Sequence, residues 1–211
     1  MCNAKPAQGE KKLSKKGAFI CIEGLDGCGK TTQAKLLAKK LRKSHSAVYT
    51  AEPSRGKIGT YIRKSYLYGE KRLSSVLEAL LFAADRVEHV ETEVIPALNE
   101  GRLVISDRYV YSSLAYQGAA GLSLDWIKKV NEHALQPDLA VFIDVNPEIV
   151  MRRLKPEKSV MENLETQQKV LEIYLKFVED GSLTRINGDK SEDEVAKEVY
   201  AVVTKFLNAS R

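Results

Sequence analysis

Cysteine is scarce in this chain, and long apolar runs are absent from it. The three cysteines, Cys2, Cys21 and Cys28, are an odd number without metal-ligand spacing. They predict neither a disulfide framework nor a zinc site, and they are typical of a protein of the reducing cytoplasm. No stretch approaches the roughly 20 apolar residues that a membrane helix needs, so we expect no membrane partner. With 211 residues and 44% apolar content, the chain can still form a core that needs no cross-links.

An excess of charge is also missing from most of the chain. Residues 1–16 hold five lysines against one glutamate and therefore carry +4 of the formal net charge of +5. This segment has no hydrophobic centre, so we predict a disordered basic leader at 1–16 rather than a signal peptide, with a nucleic-acid-binding arm as the alternative. Residues 17–211 lack the aromatic and basic repeat that binds single strands. We expect a single domain over 17–211 and no nucleic-acid partner.

A glycine-rich motif stands near the start of this domain. Residues 24–31 match G-x-x-x-x-G-K-[ST], the phosphate-binding P-loop. An apolar run at 18–22 predicts a strand before the motif, and a helical pattern at 32–41 follows it. Backbone N–H groups and the helix N-terminus would then face phosphate oxygens, while Lys30 reaches the outer phosphates and Thr31 ligates Mg²⁺. The residues expected to bind ATP are Gly24, Asp26, Gly27, Cys28, Gly29, Lys30, Thr31 and Thr32.

Strand and helix patterns alternate along the rest of the domain. Short apolar runs predict further strands at 47–51, 103–106, 139–145 and 183–186. Helical patterns are found at 57–67, 75–99, 124–133, 147–154, 161–179 and 192–207. Continuous apolar strands separated by helices are typical of a parallel sheet covered on both faces. The pattern predicts an α/β protein, a three-layer P-loop NTPase fold with a five-stranded parallel sheet, whose ligands gather at the carboxyl ends of the strands.

Polar residues stand at those predicted strand ends. Asp107 follows the third strand and is a candidate Mg²⁺ ligand, with a helix N-cap as the alternative. Asp144 ends the fourth strand, where capping the helix that starts at Pro147 explains it nearly as well. Phe82 and Arg86 are four residues apart on one helix face. They could stack a flat base and hydrogen-bond its edge, although such a pair alone is more often a core aromatic beside a surface charge.

Several motifs in this order resemble the thymidylate kinase (dTMP kinase) family over nearly the whole chain from residue 19 onward. The matching segments are 22–26, 29–33, Glu52-Pro53, Ile62-Arg63, 81–86, 107–109, Ser112-Ser113, 115–118 and Pro137-Asp138. The resemblance implies transfer of the γ-phosphoryl group of ATP to dTMP, giving dTDP for dTTP synthesis. It also implies a Mg²⁺ cofactor, a cytoplasmic homodimer and a short lid at about 151–165.

The resemblance further implies how dTMP is held. Phe82 would stack on thymine, Arg86 would reach its O4 edge, and Ser113 would lie against the base. Tyr116 would lie under the deoxyribose, where it crowds a 2′-hydroxyl, and Asp26 would accept from the 3′-hydroxyl.

The monophosphate would occupy a separate part of the same site. Arg63 and Arg108 would clamp it, since a fork of donors suits phosphate oxygens, and Glu52 and Pro53 would shape its pocket. Gln117, next to Tyr116 in a matching segment, is also expected to contact the substrate. The attacking phosphate oxygen is already ionised near neutral pH, because a phosphomonoester's second pKa is about 6. No general base is needed.

The sequence departs from the family at the expected catalytic arginine. Position 27 is glycine where some members carry an arginine, and the predicted lid has none between 155 and 163. Arg153 is therefore our preferred catalytic arginine beside Lys30 and Arg108, with Arg152 next and a structural surface role for both as the alternative. A second departure is Ser54-Arg55, where the family often has two glycines. Arg55 either adds a phosphate contact or points into solvent.

Two other functions remain open from the residues alone. In a deoxynucleoside kinase, Glu52 would be a general base for a sugar hydroxyl. However, no tryptophan comes shortly after Glu52, since the only one is Trp126. Arg63 and Arg108 would also lack an acceptor phosphate. A P-loop switch that controls a partner would need a residue that positions water, and no convincing candidate is present.

Overall fold

Five parallel strands carry the core of the fold. The structure is a computed structural model and describes residues 17–67, 73–153 and 163–209. The strands are β1 Ala18–Gly24, β2 Ala47–Ala51, β3 Leu103–Asp107, β4 Leu139–Asp144 and β5 Thr184–Asn187. They pair in the order β2-β3-β1-β4-β5, all parallel. The predicted strands and sheet are confirmed.

The central strand is covered on both faces. All seven residues of β1 are buried, which explains why its apolar run shows no polar alternation. Ile22 of β1 and Ala51 of β2 are both register partners of Asp107 at the end of β3. The loops that follow these three strands therefore leave the sheet at one edge, where the site is built.

Helices pack around this sheet. Within the described ranges they are α1 Lys30–Leu41, α2 Lys57–Tyr61, α3 Ser75–His89, α4 Ile95–Asn99, α5 Val110–Ala119, α6 Leu124–Val130, α7 Pro147–Arg153, α8 Leu164–Glu179 and α9 Glu192–Ala209. A π-helical segment, Ile62–Leu67, continues α2, and another, Val90–Val94, joins α3 to α4. None of the described helices has the length and apolar character needed to cross a membrane.

The helices differ from the prediction at two places. The helix predicted at 75–99 widens at Val90–Val94, because Pro96 has no N–H to donate four residues back and its ring crowds that carbonyl. Helix α5 was not predicted at all. Its residues Ser113 to Gln117 are all buried, so it lacks the polar face that makes a helix visible as a periodic pattern.

Other boundaries agree within a few residues. Helix α6 ends at Val130 rather than 133. Helix α8 begins at Leu164 rather than 161, where the Asn163 side chain accepts a hydrogen bond from Thr166 N at 2.7 Å. The predicted leader at 1–16 and most of the predicted lid, residues 154–162, lie outside the described residues.

Candidate active site

The P-loop connects β1 to α1 and depends on its glycines. Gly24 has φ 151°, and a Cβ there would lie 2.6 Å from Cys28 Sγ and 2.8 Å from Ile143 O. Gly29 has φ 95° and directly precedes α1. These backbone angles are in the region that favours glycine, so the turn into the helix N-terminus has the form that binds anions elsewhere. Gly27, Cys28 and Thr32 complete the loop and first turn; Cys28 is buried, and Gly27 and Thr32 are exposed.

One carboxylate joins the P-loop to the loop after β3. Lys30 Nζ donates to Leu25 O at 3.0 Å and lies 3.3 Å from Asp26 Oδ1. Arg108 donates to the same Asp26 oxygen. Burial favours a higher pKa for Asp26, but the charges of Arg108 and Lys30 outweigh it and hold that pKa well below its usual range. Two cations thus meet at the edge of the P-loop.

The backbone and neighbours of Arg108 fix its direction. Its φ of 72° is unusual for a residue other than glycine, and such conformations persist where the surroundings determine them. The guanidinium donates to Ser112 Oγ at 2.9 Å and lies 5.0 Å from the centre of the Tyr116 ring. Tyr116 OH in turn accepts from Asp26 N at 2.9 Å. Asp26, Arg108 and Tyr116 therefore form one connected group.

A buried carboxylate supports this group from behind. Glu23 is fully buried and accepts from Tyr109 N at 2.8 Å, Ser112 Oγ at 2.6 Å and Tyr174 OH at 3.0 Å. Burial raises the pKa of Glu23 to about 6, against the opposing effects of Ser112 and Arg108. No pattern in the sequence indicates a separate role for this residue.

Asp107 lies against the first turn of α1. Thr31 Oγ1 donates to Asp107 Oδ2 at 2.5 Å, and Tyr49 OH donates to the same oxygen at 3.3 Å. The other oxygen, Oδ1, is buried and has no hydrogen-bond partner among the described residues. Helix α5 is preceded by Tyr109 without a side-chain cap, so the N-cap alternative for Asp107 is wrong. A carboxylate oxygen without a partner beside a threonine hydroxyl is a donor set suited to Mg²⁺.

Asp144 has a structural partner instead. It accepts from Arg185 Nε at 2.7 Å, and the N-terminus of α7 is served by Asn146, whose Oδ1 accepts from Glu148 N at 2.8 Å. The capping explanation for Asp144 is therefore wrong, because Asn146 makes that contact.

On the other side of the site, a buried ion pair follows β2. Glu52 precedes Pro53 through a cis peptide bond. Glu52 Oε2 accepts from Arg86 at 2.6 Å, and Oε1 lies 3.2 Å from His89 Nδ1. The Glu52 and Arg86 side chains are each 2% exposed. The alternative in which Arg86 is a surface charge is therefore wrong.

The Arg86 guanidinium has partners from several elements. It donates to Ser113 Oγ of α5 at 3.0 Å and to Asn131 Oδ1 after α6, and it lies 5.2 Å from the centre of the Tyr109 ring. Its Nε has no hydrogen-bond partner among the described residues. Phe82, one turn earlier in α3, is half-buried. The sequence offered no signal for Asn131, which ends a short helix without any recognisable motif.

The loop between β2 and α2 is fastened to α3. Asp85 accepts from Ser54 N at 2.7 Å and from Ser54 Oγ at 2.6 Å, so the serine found where the family often has glycine makes a specific contact. Arg63 donates to Pro53 O at 2.6 Å. Arg55 is exposed.

For Gln117 and for the two arginines at the end of α7, the observed contacts do not identify a role. Gln117 Nε2 donates to Glu78 Oε1 at 2.8 Å, and both side chains are buried. Arg153 is exposed at the end of α7. Arg152 beside it is also exposed and donates from Nε to Glu148 O at 3.3 Å.

A P-loop in contact with Arg108 lies at the carboxyl ends of a parallel sheet, and this arrangement is typical of a P-loop phosphotransferase of the nucleotide kinase class. The thymidylate kinase family model matches residues 22–199. A probable thymidylate kinase of Pyrococcus abyssi is 44% identical in an alignment of 201 residues that covers 91% of this chain and 98% of the relative. One of Methanococcus maripaludis is 45% identical over 194 residues, covering 90% of this chain and 94% of the relative.

The chain belongs to the thymidylate kinase family, whose members phosphorylate dTMP with ATP. The resemblance drawn from its separate motifs is confirmed. The deoxynucleoside kinase and switch alternatives are excluded by this membership, and Glu52, held in an ion pair with Arg86, is not available as a free general base.

Proposed function

We propose that the described residues bring ATP and dTMP together so that the γ-phosphoryl group passes directly between them, giving ADP and dTDP for dTTP synthesis. One contact carries the proposal: Asp26 Oδ1 is shared by Lys30 of the P-loop and Arg108 of the acceptor side. Because the two cations lie on the same oxygen, phosphates bound by each would be neighbours. Alignment and charge neutralisation are the main requirements of this reaction.

The ATP side is made mostly of backbone. The N–H groups from Gly24 to Thr32, through Gly27, Cys28 and Gly29, would surround the phosphates, and Lys30 would contact the outer ones. This assignment is supported by the positive φ of the glycines and by the start of α1 at Lys30.

Mg²⁺ would be held between Thr31 and Asp107. Asp107 Oδ1 is buried and unpartnered among the described residues, and Thr31 Oγ1 is 2.5 Å from Oδ2 of the same carboxylate. When bound there, the ion would neutralise charge on the ATP phosphates and help to orient them. The protein's own part is to fix the carboxylate, which the Tyr49 hydroxyl also contacts.

The acceptor phosphate would be clamped by Arg63 and Arg108, in a pocket bounded by Glu52 and Pro53. Arg63 already contacts Pro53 O at 2.6 Å, which ties this arginine to the pocket wall. The attacking atom is a phosphate oxygen that is largely ionised near neutral pH, so no side chain needs to remove a proton.

The nucleoside would occupy the space next to α3 and α5. Thymine would stack on Phe82 and accept at O4 from Arg86, whose Nε lacks a partner among the described residues. Ser113 would lie against the base. Tyr116 and Asp26 would bound the deoxyribose, and Gln117 would complete that wall.

Arg153 would supply additional positive charge to the transferring phosphoryl group. This role is supported by the position of Arg153, which is exposed at the end of α7, directly before the predicted lid. Arg153→Ala should lower kcat far more than it changes either KM. An unchanged kcat would move this role to Arg152 or to the lysines at 155 and 158.

A homodimer would form through α3 and α4. Val76, Leu80 and Val87 lie on one face of α3 and are 46, 43 and 38% exposed, and Ile95 of α4 is 40% exposed. Such a stripe favours a second copy of the chain. Leu80→Glu should convert a dimer to a monomer in sedimentation velocity.

The two described cysteines are free and buried, which supports a cytoplasmic location, and we propose no nucleic-acid or membrane partner.

The deciding experiment is an ADP-release assay with ATP and Mg²⁺ and a panel of acceptors: dTMP, dUMP, dCMP, dGMP and thymidine. We expect rapid turnover with dTMP, weaker turnover with dUMP, and none with thymidine, which lacks the phosphate that Arg63 and Arg108 would hold. Turnover with thymidine and not with dTMP would overturn the proposal.

A further inference from the structure

The Arg86 guanidinium is held at both of its terminal nitrogens. Glu52 and Ser113 both accept from one of them, at 2.6 and 3.0 Å. The other donates to Asn131 Oδ1, which is its only hydrogen-bond partner among the described residues. The Tyr109 ring lies against the group, 5.2 Å away. In the part of the chain that the structure describes, Asn131 is thus the single hydrogen-bond acceptor on its side of the guanidinium.

Asn131 is itself firmly placed. It follows the last residue of α6 and is 6% exposed. Its Nδ2 donates to Ile127 O at 2.9 Å, and its backbone N donates to the same carbonyl at 3.2 Å. Ile127 is fully buried in the core. Because the amide nitrogen is engaged with a carbonyl, the amide oxygen is the atom directed at Arg86.

This second anchor restricts a motion that the first does not. Glu52 and Ser113 contact the same nitrogen, so with them alone the planar guanidinium could swing in its own plane about that point. A hydrogen bond at the other terminal nitrogen prevents the swing and fixes the direction of the Nε–H bond. Nε is buried and unpartnered among the described residues, and buried donors of this kind are normally satisfied.

We propose that Asn131 is a positioning residue that aims Arg86 and thereby sets the preference for pyrimidines with an oxygen at the 4-position over those with an amino group there. The proposal rests on the function proposed above, in which Arg86 donates to thymine O4. An amide suits the position because it accepts a hydrogen bond without adding a second negative charge to that of Glu52.

The test compares dTMP with dCMP in the Asn131→Ala variant. Loss of the anchor should lower kcat/KM for dTMP about tenfold, the effect of one lost hydrogen bond to a charged group. The change should lie in KM, with kcat and the KM for ATP within about twofold of the original values. The kcat/KM for dCMP should change less than twofold, because its 4-amino group gains nothing from an arginine donor. The discrimination between dTMP and dCMP therefore falls.

Two further variants separate positioning from stability. Asn131→Asp keeps an oxygen that accepts from Arg86, but it adds a second negative charge near Glu52 and loses the donor to Ile127 O. It should therefore unfold at a lower temperature yet retain discrimination within about threefold. Ser123→Ala removes the side chain that caps the other end of α6, where Ser123 Oγ accepts from Trp126 N. It should weaken the helix and leave discrimination unchanged.

Three outcomes would overturn the inference. They are a dTMP-to-dCMP ratio unchanged in Asn131→Ala, an equal loss in Asn131→Asp, and an equal loss in Ser123→Ala. An Arg86→Ala variant tests separately whether Arg86 has the role in thymine binding that is proposed above. If it keeps the original discrimination, the role proposed for Arg86 is wrong. If it loses discrimination while Asn131→Ala does not, only the inference about Asn131 fails.

Discussion

The ATP side and the dTMP side of this site are built differently. The ATP side uses nine consecutive residues, Gly24 to Thr32, and its expected contacts are largely backbone N–H groups placed by glycines. The dTMP side gathers side chains from the loop after β2, from α3, α5 and the end of α6, and it holds them by buried hydrogen bonds. A site of the first kind depends on backbone angles, whereas one of the second kind depends on charges that must stay paired away from water.

The largest effect should come from breaking the buried pair. Glu52→Ala leaves the Arg86 charge buried with only neutral partners, and we expect the free energy of unfolding to fall by about 3–5 kcal/mol. Urea unfolding measures this directly. Glu100→Ala is the matched control, because it removes an exposed carboxylate 3.4 Å from Arg102 and should change stability by less than about 1 kcal/mol. Equal losses in the two variants would mean that the dTMP side does not depend on its buried charges.

The corresponding change on the ATP side is Lys30→Met, and it should lower kcat more than it lowers the free energy of unfolding. Lys30→Met should lower kcat by about 10²–10³, because it removes a fixed positive charge from the transferring phosphoryl group. The Lys30 side chain is 6% exposed, and its ammonium contacts only Leu25 O and Asp26 among the described residues. Asp26 is partly exposed and keeps Arg108 as a partner in the variant, so the free energy of unfolding should fall by less than about 2 kcal/mol. Lys39→Met, at an exposed position of the same helix, should alter neither quantity. A stability loss as large as that of Glu52→Ala would remove the contrast between the two sides.

The same contrast explains what could be predicted from the sequence. The P-loop and the strands were visible because a contiguous motif and continuous apolar runs are local patterns. Helix α5 was missed because burial on all sides removed its periodicity. Asn131 and Glu23 were missed because their roles arise only when distant segments meet: Glu23 contacts Tyr174, 151 positions away.

Resemblance to a family identified residues that composition and spacing could not. Phe82 and Arg86 alone favoured a core aromatic beside a surface charge, yet Arg86 is 1% exposed. The reason is physical: burial of an arginine depends on acceptors supplied from elsewhere, here Glu52, Ser113 and Asn131, and none of them is adjacent in the sequence.

Glu23 lies at the junction of the two sides and should make stability depend on pH. Burial raises its pKa in the folded protein from 4.5 to about 6, so its ionised form is disfavoured by folding. The stabilisation of its protonated form is fully present below pH 4.5 and is lost as pH rises through 6, a change of about 2 kcal/mol.

The measurement compares the original chain with Glu23→Gln, which cannot titrate. The variant should be less stable at every pH, because the amide group turns its own donors toward Ser112 and Tyr174, which donate to Glu23. The difference between the two proteins should shrink by about 2 kcal/mol as pH rises from about 3 to about 7, a range that spans the unfolded pKa of 4.5 and the folded pKa of about 6. A constant difference across that range would show that Glu23 does not titrate there.

The smallest effect should come from a residue that acts on the dTMP side from a distance. Glu88 of α3 accepts from Ile58 N at 3.0 Å and so holds the first turn of α2, whose π-helical continuation carries Arg63. Glu88→Ala removes one hydrogen bond worth roughly 1 kcal/mol and should raise KM for dTMP by no more than about fivefold, with KM for ATP unchanged.

Glu88→Gln keeps an oxygen that accepts from the Ile58 N–H and should restore KM for dTMP to within about twofold of the original value. A KM for ATP that rises equally in Glu88→Ala would contradict this account, because no hydrogen bond joins the P-loop to α2 among the described residues. A KM that rises for dTMP and not for ATP would mean instead that an interaction remote from the substrate affects the dTMP side, which is assembled from separate elements. The contiguous ATP side would then be independent of that interaction.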